Sequence, residues 1–471
     1  MTAAGQAVSQ TGQGFGSFGY RTYVLVTLFL VYTLNFIDRV LISVVAQPII
    51  DEFKLADWQF GLLSGFGFAM MYTLMGIPIA RLAERYNRVR IIAFCVILWS
   101  VMTAACGWAW GFASLLIFRV GVGIGEAGCT PPANSLIGDY YPPKSRTTAL
   151  GFYAMGVTFG GVLANLFGGP IAQSLSWREA FIYLGLPGVI VGLIVLLTVK
   201  EPPRGYSDPP GTVRPEKASM GETLKELGSK STFWVMSIGA MVAAFVGYGI
   251  SSFQAAFFIR VHGLEVAEVA LRFSVPIGIA GTIGAFAGGW LTEKTSSRFP
   301  NSQAWIPAWG FILSVPCYLI GFYTDNLTLA LITLMMGGAL HYAYLGAQYS
   351  IGQGVVSAQS RATAIAILLF IVNIVGYGCG PLFVGIASDF FTSSYIAGSE
   401  YAGELTSAVC KGKPAELVAA LGQQNADFCV QANGEGLRIS FYITVCFYMI
   451  AGIAFLAACR TLQRDLVAKT S

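Results

Sequence analysis

The chain contains 471 residues, of which 55% are hydrophobic and only 11% are charged. Soluble domains carry about 25% charged residues, so this composition excludes a water-exposed globular protein. The net charge of +4 says little by itself, because in a membrane protein the positions of Lys and Arg matter more than their total. We predict no nucleic-acid partner.

Apolar runs recur along the chain at the length of roughly 20 residues that crosses a hydrocarbon core of about 30 Å. We therefore predict an all-α membrane protein with twelve transmembrane helices in two pseudo-symmetric six-helix bundles. Residues 1–22 are predicted to be a disordered cytoplasmic tail, and residues 461–471 a second cytoplasmic tail. The predicted spans are 23–46, 58–80, 90–110, 114–138, 148–173, 180–199, 233–260, 272–292, 304–323, 327–356, 362–389 and 438–460.

Residues 200–231, between the sixth and seventh predicted spans, are polar and rich in Pro. They include a short amphipathic stretch around Leu224 and Leu227, so we predict a cytoplasmic linker that contains a short helix. The linker separates an N-terminal bundle at 23–199 from a C-terminal bundle at 232–460. Within the second bundle, residues 390–437 form a long loop.

Positive charge is concentrated on one side of this topology. With the N-terminus in the cytoplasm, the inside loops and tails hold 19 of the 28 Lys and Arg, the outside loops hold seven and the spans hold two. The positive-inside rule then places both termini in the cytoplasm and the long loop outside. We predict a multi-pass protein of the inner (plasma) membrane.

Seven of the nine cysteines fall inside predicted spans, where they serve as small apolar residues. The other two, Cys410 and Cys429, lie in the long outside loop. Disulfides persist in an oxidising compartment, so we predict that these two cysteines pair.

Two short motifs point to a known family. They are NFIDR at 35–39 and RVGVGIGEA at 119–127, and Asp139 and Arg146 follow them. Over residues 20–460 the chain resembles the major facilitator superfamily, and the two motifs resemble its spinster branch. Members of that branch move lysophospholipids and sphingolipids such as sphingosine-1-phosphate. Organic anion:cation symporters share the Asn-x-x-Asp-Arg element and are the nearest rival.

The resemblance implies a proton-coupled secondary active transporter that works by alternating access on an amphipathic anionic or zwitterionic lipid. A symporter of small organic anions, such as sugar acids, is the alternative. The sequence has no Walker, HExxH or GxSxG signature, so a membrane enzyme acting on lipids is a distant alternative. A non-transporting sensor on the same fold is a third. We expect a monomer with no cofactor and no metal.

Two matches relate the halves of the chain. SRTTA at 145–149 recurs as SRATA at 360–364, and the Glu-Arg pair at 84–85 recurs as Glu-Lys at 293–294. Similar offsets favour a duplicated six-helix unit. The loop after the second span partly matches the family's Gly-x-x-x-Asp-Arg-x-Gly-Arg-Arg pattern, which implies a cytoplasmic gate; simple positive-inside anchoring is the alternative. The predicted gate residues are Glu84, Arg85, Arg88, Arg146, Glu293, Lys294 and Arg361.

Asp38 and Arg119 are charges inside predicted spans. Asp38 lies about 22 Å from the cytoplasmic end of the first span, and Arg119 lies about 8 Å below the outer end of the fourth. The two residues therefore share a depth. An unpaired charge there costs at least about 3 kcal/mol, so we predict an ion pair between them.

Glu126 follows Arg119 by nearly two helical turns, on the same face and about 10 Å deeper. A carboxylate near mid-membrane is costly when ionised, so we predict that Glu126 and Asp38 carry protons while Arg119 binds an anionic substrate. A static polar lock is the alternative. Arg39 points about 100° away from Asp38, and we expect it to contact the surroundings of Asp38 or an outer headgroup.

His341 lies 215 positions after Glu126, the offset of the repeat, and is followed by Tyr342. The titration range of His suits proton coupling, whereas a hydrogen-bonded core His is the alternative. We place both residues in the predicted substrate or ion-pair set. The second half is otherwise rich in aromatic residues, which suit either a lipid tail or simple packing.

Overall fold

Twelve helices among the described residues are long and apolar enough to cross a membrane. The structure is a computed structural model and describes residues 14–208, 220–296, 298–357 and 359–467. The predicted all-α class and its twelve spans are confirmed. In chain order the spans are Phe18–Val44, Asp57–Arg85, Arg88–Cys106, Phe112–Tyr140, Pro143–Ser174, Trp177–Thr198, Ser231–His262, Val266–Ser296, Ser302–Tyr323, Leu327–Gly354, Thr363–Ala397 and Gln423–Ala458.

Several spans are interrupted, and the interruptions fall at matching places in the two halves of the sequence. The second and eighth spans each contain a π-helical turn, and the fourth and tenth are broken near their middle. The fifth span is interrupted between Ala154 and Gly156, and the eleventh contains a longer π-helical segment. Interruptions of this kind are frequent at functional sites. The segments are Asp57–Gly61, Leu62–Phe66 (π) and Gly67–Arg85; Phe112–Glu126 and Thr130–Tyr140; Pro143–Ala154 and Gly156–Ser174; Val266–Val269, Ala270–Ser274 (π) and Val275–Ser296; Leu327–Tyr342 and Tyr344–Gly354; Arg361–Ile371, Val372–Cys379 (π) and Gly380–Ala397.

Four short helices in the described part of the chain lie outside the spans. Ala46–Phe53 follows the first span, and Met220–Gly228 precedes the seventh. Pro414–Leu421 lies in the long loop before the twelfth span, and Leu462–Asp465 follows the twelfth. An isolated bridge joins Ala402 to Leu405 in the same long loop.

Packing divides the described residues into two units. The first comprises residues 14–41, 71–164 and 178–208, and the second comprises 42–70, 165–177 and the described residues from 220 onward. The second unit therefore contains the beginning of the second span, the end of the fifth span and the whole of the seventh to twelfth spans.

Glycines let the spans approach closely within each unit. In the first unit, a Cβ added to Gly125 would lie 2.7 Å from the Cβ of Trp99, so the fourth span touches the third. In the second unit, a Cβ added to Gly249 would lie 3.0 Å from the carbonyl oxygen of Gly380, so the seventh span touches the eleventh. Small residues favour such contacts because helix association in lipid depends on van der Waals packing. The buried charges therefore lie on spans that pack closely against their neighbours.

Candidate functional site

Arg39 and Glu126 form a buried ion pair in the first unit. The Nε of Arg39 donates to Oε2 of Glu126 at 2.6 Å, and the Glu126 side chain is fully buried. The Arg39 guanidinium also lies over the ring of Tyr72, 4.4 Å from its centroid, and beside the ring of Phe36. Cation–π contacts of this kind stabilise a desolvated guanidinium. The first and fourth spans are thus joined by a charge pair with an aromatic cover.

Asp38 and Arg119 lie beside this pair and are both almost completely buried. Nη1 of Arg119 donates to the main-chain carbonyl oxygen of Asp38 at 3.2 Å. Trp99 and Thr103 of the third span lie next to the Asp38 carboxyl group, and the charges of Glu126 and Arg119 both act on it. We refer to Asp38, Arg39, Arg119 and Glu126 as the intramembrane group.

The structure brings Asp38 and Arg119 together, and Arg119 donates to the main chain of Asp38. Their side-chain ion pair stays a prediction. The sequence did not predict the ion pair between Arg39 and Glu126, since we expected Arg39 to contact the surroundings of Asp38 or an outer headgroup. A helical wheel gives the direction of the Cβ atom, whereas the long Arg side chain reaches around its helix to a partner.

Local structure explains the position of Glu126. It is the last residue of the helix Phe112–Glu126, and the chain resumes helical geometry only at Thr130, with two prolines following at 131 and 132. Proline lacks the N–H that a continuous helix would need, so the break is built into the sequence. The Glu126 carboxylate therefore lies at a discontinuity inside a span.

His341 lies in an aromatic cluster of the second unit. Its Nδ1 is 2.9 Å from the Oη of Tyr318, and its ring lies 4.0 Å from that of Tyr342 and 5.2 Å from that of Tyr448, centroid to centroid. The buried Oη of Tyr448 has no hydrogen-bond partner among the described residues. The hydrogen-bonded His fits a core role as well as proton coupling, and the cluster still offers one unsatisfied hydroxyl.

Arg88 is the centre of a second buried ionic group in the first unit. Its guanidinium pairs with Asp139 at 2.6 Å and with Glu201 at 2.6 Å, and donates to Oγ of Ser135 at 2.8 Å. The Arg88 side chain is 1% exposed. These contacts connect the start of the linker, at Glu201, to the beginning of the third span and the end of the fourth.

Two of the other predicted gate residues make contacts of their own. Arg146 pairs with Asp208 at 3.0 Å and donates to the carbonyl oxygen of Gly138. Lys294 lies over the ring of Trp290 at 4.8 Å. The remaining four are exposed: Glu84, Arg85, Glu293 and Arg361. The gate itself stays a prediction.

Sequence reasoning missed a further group of four charges in the second unit. Arg260 donates to both carboxylate oxygens of Asp57, at 2.7 and 2.8 Å, and Nζ of Lys411 lies 3.4 Å from Asp57 and 3.1 Å from Asp389. We call Asp57, Arg260, Asp389 and Lys411 the four-charge cluster. All four lie at predicted span ends or in a loop, where an isolated charge is ordinary, so no signal marked them as partners.

Cys410 and Cys429 form a disulfide in the long loop, with Cα atoms 4.9 Å apart. The disulfide joins the loop to the start of the helix Gln423–Ala458. Ile396, Leu405 and Leu417 are buried around it, so this loop has a small apolar core of its own. Lys411, next to Cys410 in the chain, extends from this core into the four-charge cluster.

Twelve apolar helices with charges buried inside them define a multi-pass membrane protein of the transporter class. The Major Facilitator Superfamily model matches residues 28–381. The chain belongs to the major facilitator superfamily.

Several transporters are similar to this chain over most of its length. A bacterial homolog of the human lysosomal transporter Spinster, solved in an inward-facing and unoccupied conformation, superposes with a TM-score of 0.89 at 48% identity, covering 97% of this chain and 100% of that one. An MFS-type efflux pump of Mycolicibacterium smegmatis is 33% identical over 365 residues, 78% of this chain and 84% of that protein. A hexuronate transporter of Bacillus subtilis is 26% identical over 383 residues, 78% of this chain and 87% of that protein.

These comparisons confirm the predicted resemblance to the spinster branch. They also confirm a transporter, and not an enzyme, as the class of protein. A transporter of this superfamily moves a small-molecule substrate across the membrane in which its helices lie.

Proposed function

We propose that this chain is a proton-coupled secondary active transporter that works by alternating access and moves an amphipathic anionic or zwitterionic lipid, such as a lysophospholipid or a sphingolipid. The observation that carries the proposal is the intramembrane group, in which two carboxyl groups and two guanidinium groups share one buried site. Ionisable residues inside spans are costly and mark ion and substrate pathways.

The Arg39–Glu126 contact provides the coupling step. Protonation of Glu126 removes its negative charge, which releases Arg39 from a charge-assisted hydrogen bond of 2.6 Å. The released guanidinium, with Arg119 nearby, then attracts an anionic headgroup. Deprotonation restores the pair as the substrate leaves, so proton movement and substrate movement are linked. Asp38, on which the charges of both Glu126 and Arg119 act, is the second proton-carrying group.

The aromatic cluster supports an amphipathic substrate. Tyr342 of this cluster and Tyr248 of the seventh span are 38% and 37% exposed, so they present aromatic surface as well as hydroxyl groups. Aromatic side chains combine a large apolar area with a polar end, which suits the region between a lipid chain and its headgroup. The structural similarity to a Spinster homolog agrees with the resemblance to the spinster branch, and that resemblance implies a lipid substrate.

A symporter of small organic anions is the second candidate. The hexuronate transporter of Bacillus subtilis aligns with most of this chain. Arginine guanidinium groups bind planar carboxylates with two parallel hydrogen bonds, so Arg39 and Arg119 also suit a sugar acid.

The membrane arrangement is part of the proposal. We infer an inner (plasma) membrane location with both termini in the cytoplasm, because Lys and Arg are concentrated in the loops on that side. The segments 23–199 and 232–460 act as the two six-helix bundles, and residues 200–231 link them. Glu84, Arg85 and Arg146 belong to the proposed cytoplasmic gate, and the transporter works as a monomer.

The substrate class is tested in proteoliposomes with a pH difference imposed in either direction. Lysophosphatidylglycerol, sphingosine-1-phosphate and glucuronate are the probes, and protein-free liposomes are the control. The proposal expects proton-driven movement of a lipid and none of glucuronate. Movement of glucuronate alone would select the organic anion symporter, and absence of any proton dependence would contradict both.

A further inference from the structure

The four-charge cluster ties together segments that are far apart in the chain. Asp57 begins the second span, Arg260 lies near the end of the seventh, and Asp389 lies in the eleventh. Lys411 comes from the long loop between the eleventh and twelfth spans. Since the twelve spans cross in alternation, all four positions lie on the side of the membrane opposite the termini.

The contacts of the cluster are dense and buried. Asp57 is fully buried and accepts hydrogen bonds from Arg260 and from the hydroxyl of Ser388 at 2.6 Å. Asp389 accepts from the main-chain N–H groups of Asp57 and Trp58, at 3.1 and 2.9 Å. The carboxylate of Asp389 therefore caps the first turn of the second span, where the helix dipole favours negative charge.

Lys411 is the member of the cluster that comes from a loop. Its side chain is 7% exposed, and its Nζ approaches both Asp57 and Asp389. The main-chain carbonyl of Cys410 accepts a hydrogen bond from Nδ2 of Asn433 at 2.8 Å, and the disulfide fixes Cys410 to Cys429. The hydrogen bond from Asn433 and the disulfide both fix Cys410, and they thereby hold the neighbouring Lys411 in place.

The second and eleventh spans meet at the same place with little space between them. A Cβ added to Gly65 would lie 2.8 Å from the carbonyl oxygen of Gly378. Cβ atoms added to Gly61 and Gly385 would collide with the main chain of Pro381 and Asp57 respectively. A helix of the first half of the chain therefore packs directly against a helix of the second half.

We propose that Lys411, positioned by the Cys410–Cys429 disulfide, is a latch that stabilises the closed state of the transporter on the side opposite its termini. This proposal rests on the alternating-access function proposed above, in which the two sequence halves separate on that side during each cycle. Separation exposes Asp57 and Asp389 to water and breaks the Lys411 contacts. Loss of the latch therefore favours the state that is open on that side.

The test measures opening directly. Nitroxide labels are attached at Trp110→Cys and Asp325→Cys, two exposed positions in loops on the latch side, in a chain whose seven free cysteines are replaced by alanine. Double electron–electron resonance is recorded in proteoliposomes at pH 7 without substrate or gradient. The variants are Lys411→Gln and the double replacement of Cys410 and Cys429 by Ser. Lys413→Gln, an exposed lysine two residues away, is the matched control.

Both latch variants are expected to increase the long-distance population at least threefold over the parent, while Lys413→Gln leaves it unchanged. Lys411→Arg should restore the parent distribution, which separates a latch from misfolding. Distributions for Lys411→Gln that match those of Lys413→Gln would overturn the proposal. Because no substrate or gradient is present, failure of the proposed lipid transport or proton coupling would leave this result standing, and the reverse also holds.

Discussion

Arg39 and Glu126, 87 positions apart in the chain, meet at 2.6 Å and join the first span to the fourth. Glu126 ends a helix at a break inside the membrane, so a change in its charge acts on a place where the backbone is already discontinuous. The pair thus connects a protonation event to the contact between two spans. This relationship carries the proposed coupling of protons to transport.

The Arg39–Glu126 pair should be energetically coupled. Arg39→Gln leaves a buried carboxylate without its cation, and breaking a buried pair in this way costs about 3–5 kcal/mol. The double variant Arg39→Gln, Glu126→Gln should recover most of that loss because neither charge is then left alone. Thermal unfolding of the four purified proteins in detergent completes the cycle. Losses that simply add would contradict a direct pair.

Arg88 should be a stability residue of the first unit. Its guanidinium serves two carboxylates and a hydroxyl while almost fully buried, so Arg88→Ala should cost about 3 kcal/mol or more. Arg85→Ala removes an exposed arginine three residues away and should change stability by no more than about 0.5 kcal/mol. Unfolding temperatures compared under one set of conditions check the difference. Equal shifts in the two variants would count against the role assigned to Arg88.

Asp51 should make stability depend on pH. It lies in the short helix between the first two spans, and burial raises the pKa of its carboxyl group from 3.8 to about 6. The charges of Arg260 and Lys411 and a hydrogen bond from Gln47 oppose this rise in pKa. The charge of Asp57 adds to it. The folded protein therefore binds this proton more tightly than the unfolded chain. Its stabilising contribution is complete below about pH 4 and is lost as the pH rises through about 6, by up to roughly 3 kcal/mol.

The Asp51→Asn variant isolates this pH effect. The unfolding temperature of the variant, measured relative to that of the parent, should rise between pH 4 and pH 7. Above pH 7 the difference between the two should stay constant. Asp427→Asn is the control, since Asp427 accepts from Gln423 in the same arrangement, four residues apart, but at an exposed position. Parallel profiles for the parent and Asp51→Asn would refute the effect.

Much of the fold followed from the sequence because lipid imposes simple rules. A run of roughly 20 apolar residues has to be a helix in a membrane, since no water is present to satisfy its main chain. The depths of Asp38 and Arg119 followed from the rise per residue of a helix. Cys410 and Cys429, the two cysteines outside the predicted spans, could be paired because the predicted topology places both on the oxidising side.

The pairing of the buried charges could not be read from the chain. Partner choice depends on how helices rotate and approach, and on which long side chains reach around them, as in the pair of Arg39 with Glu126. The contacts of Asp57 with Arg260 and Lys411 connect positions 203 and 354 residues apart. No periodicity links such distant positions, and charges at span ends carry no signal of burial.

Proton-driven lipid movement in proteoliposomes that contain Glu126→Gln is the most direct test of proton coupling through Glu126. The control is Glu268→Gln, which removes a carboxylate from an exposed pair with Arg272. We predict that Glu126→Gln binds lysophosphatidylglycerol within about threefold of the parent but loses at least tenfold of its pH-driven movement, about 1.4 kcal/mol of lost coupling. The Glu268→Gln protein should behave like the parent. Unchanged pH-driven movement in Glu126→Gln would contradict a coupling role for this residue.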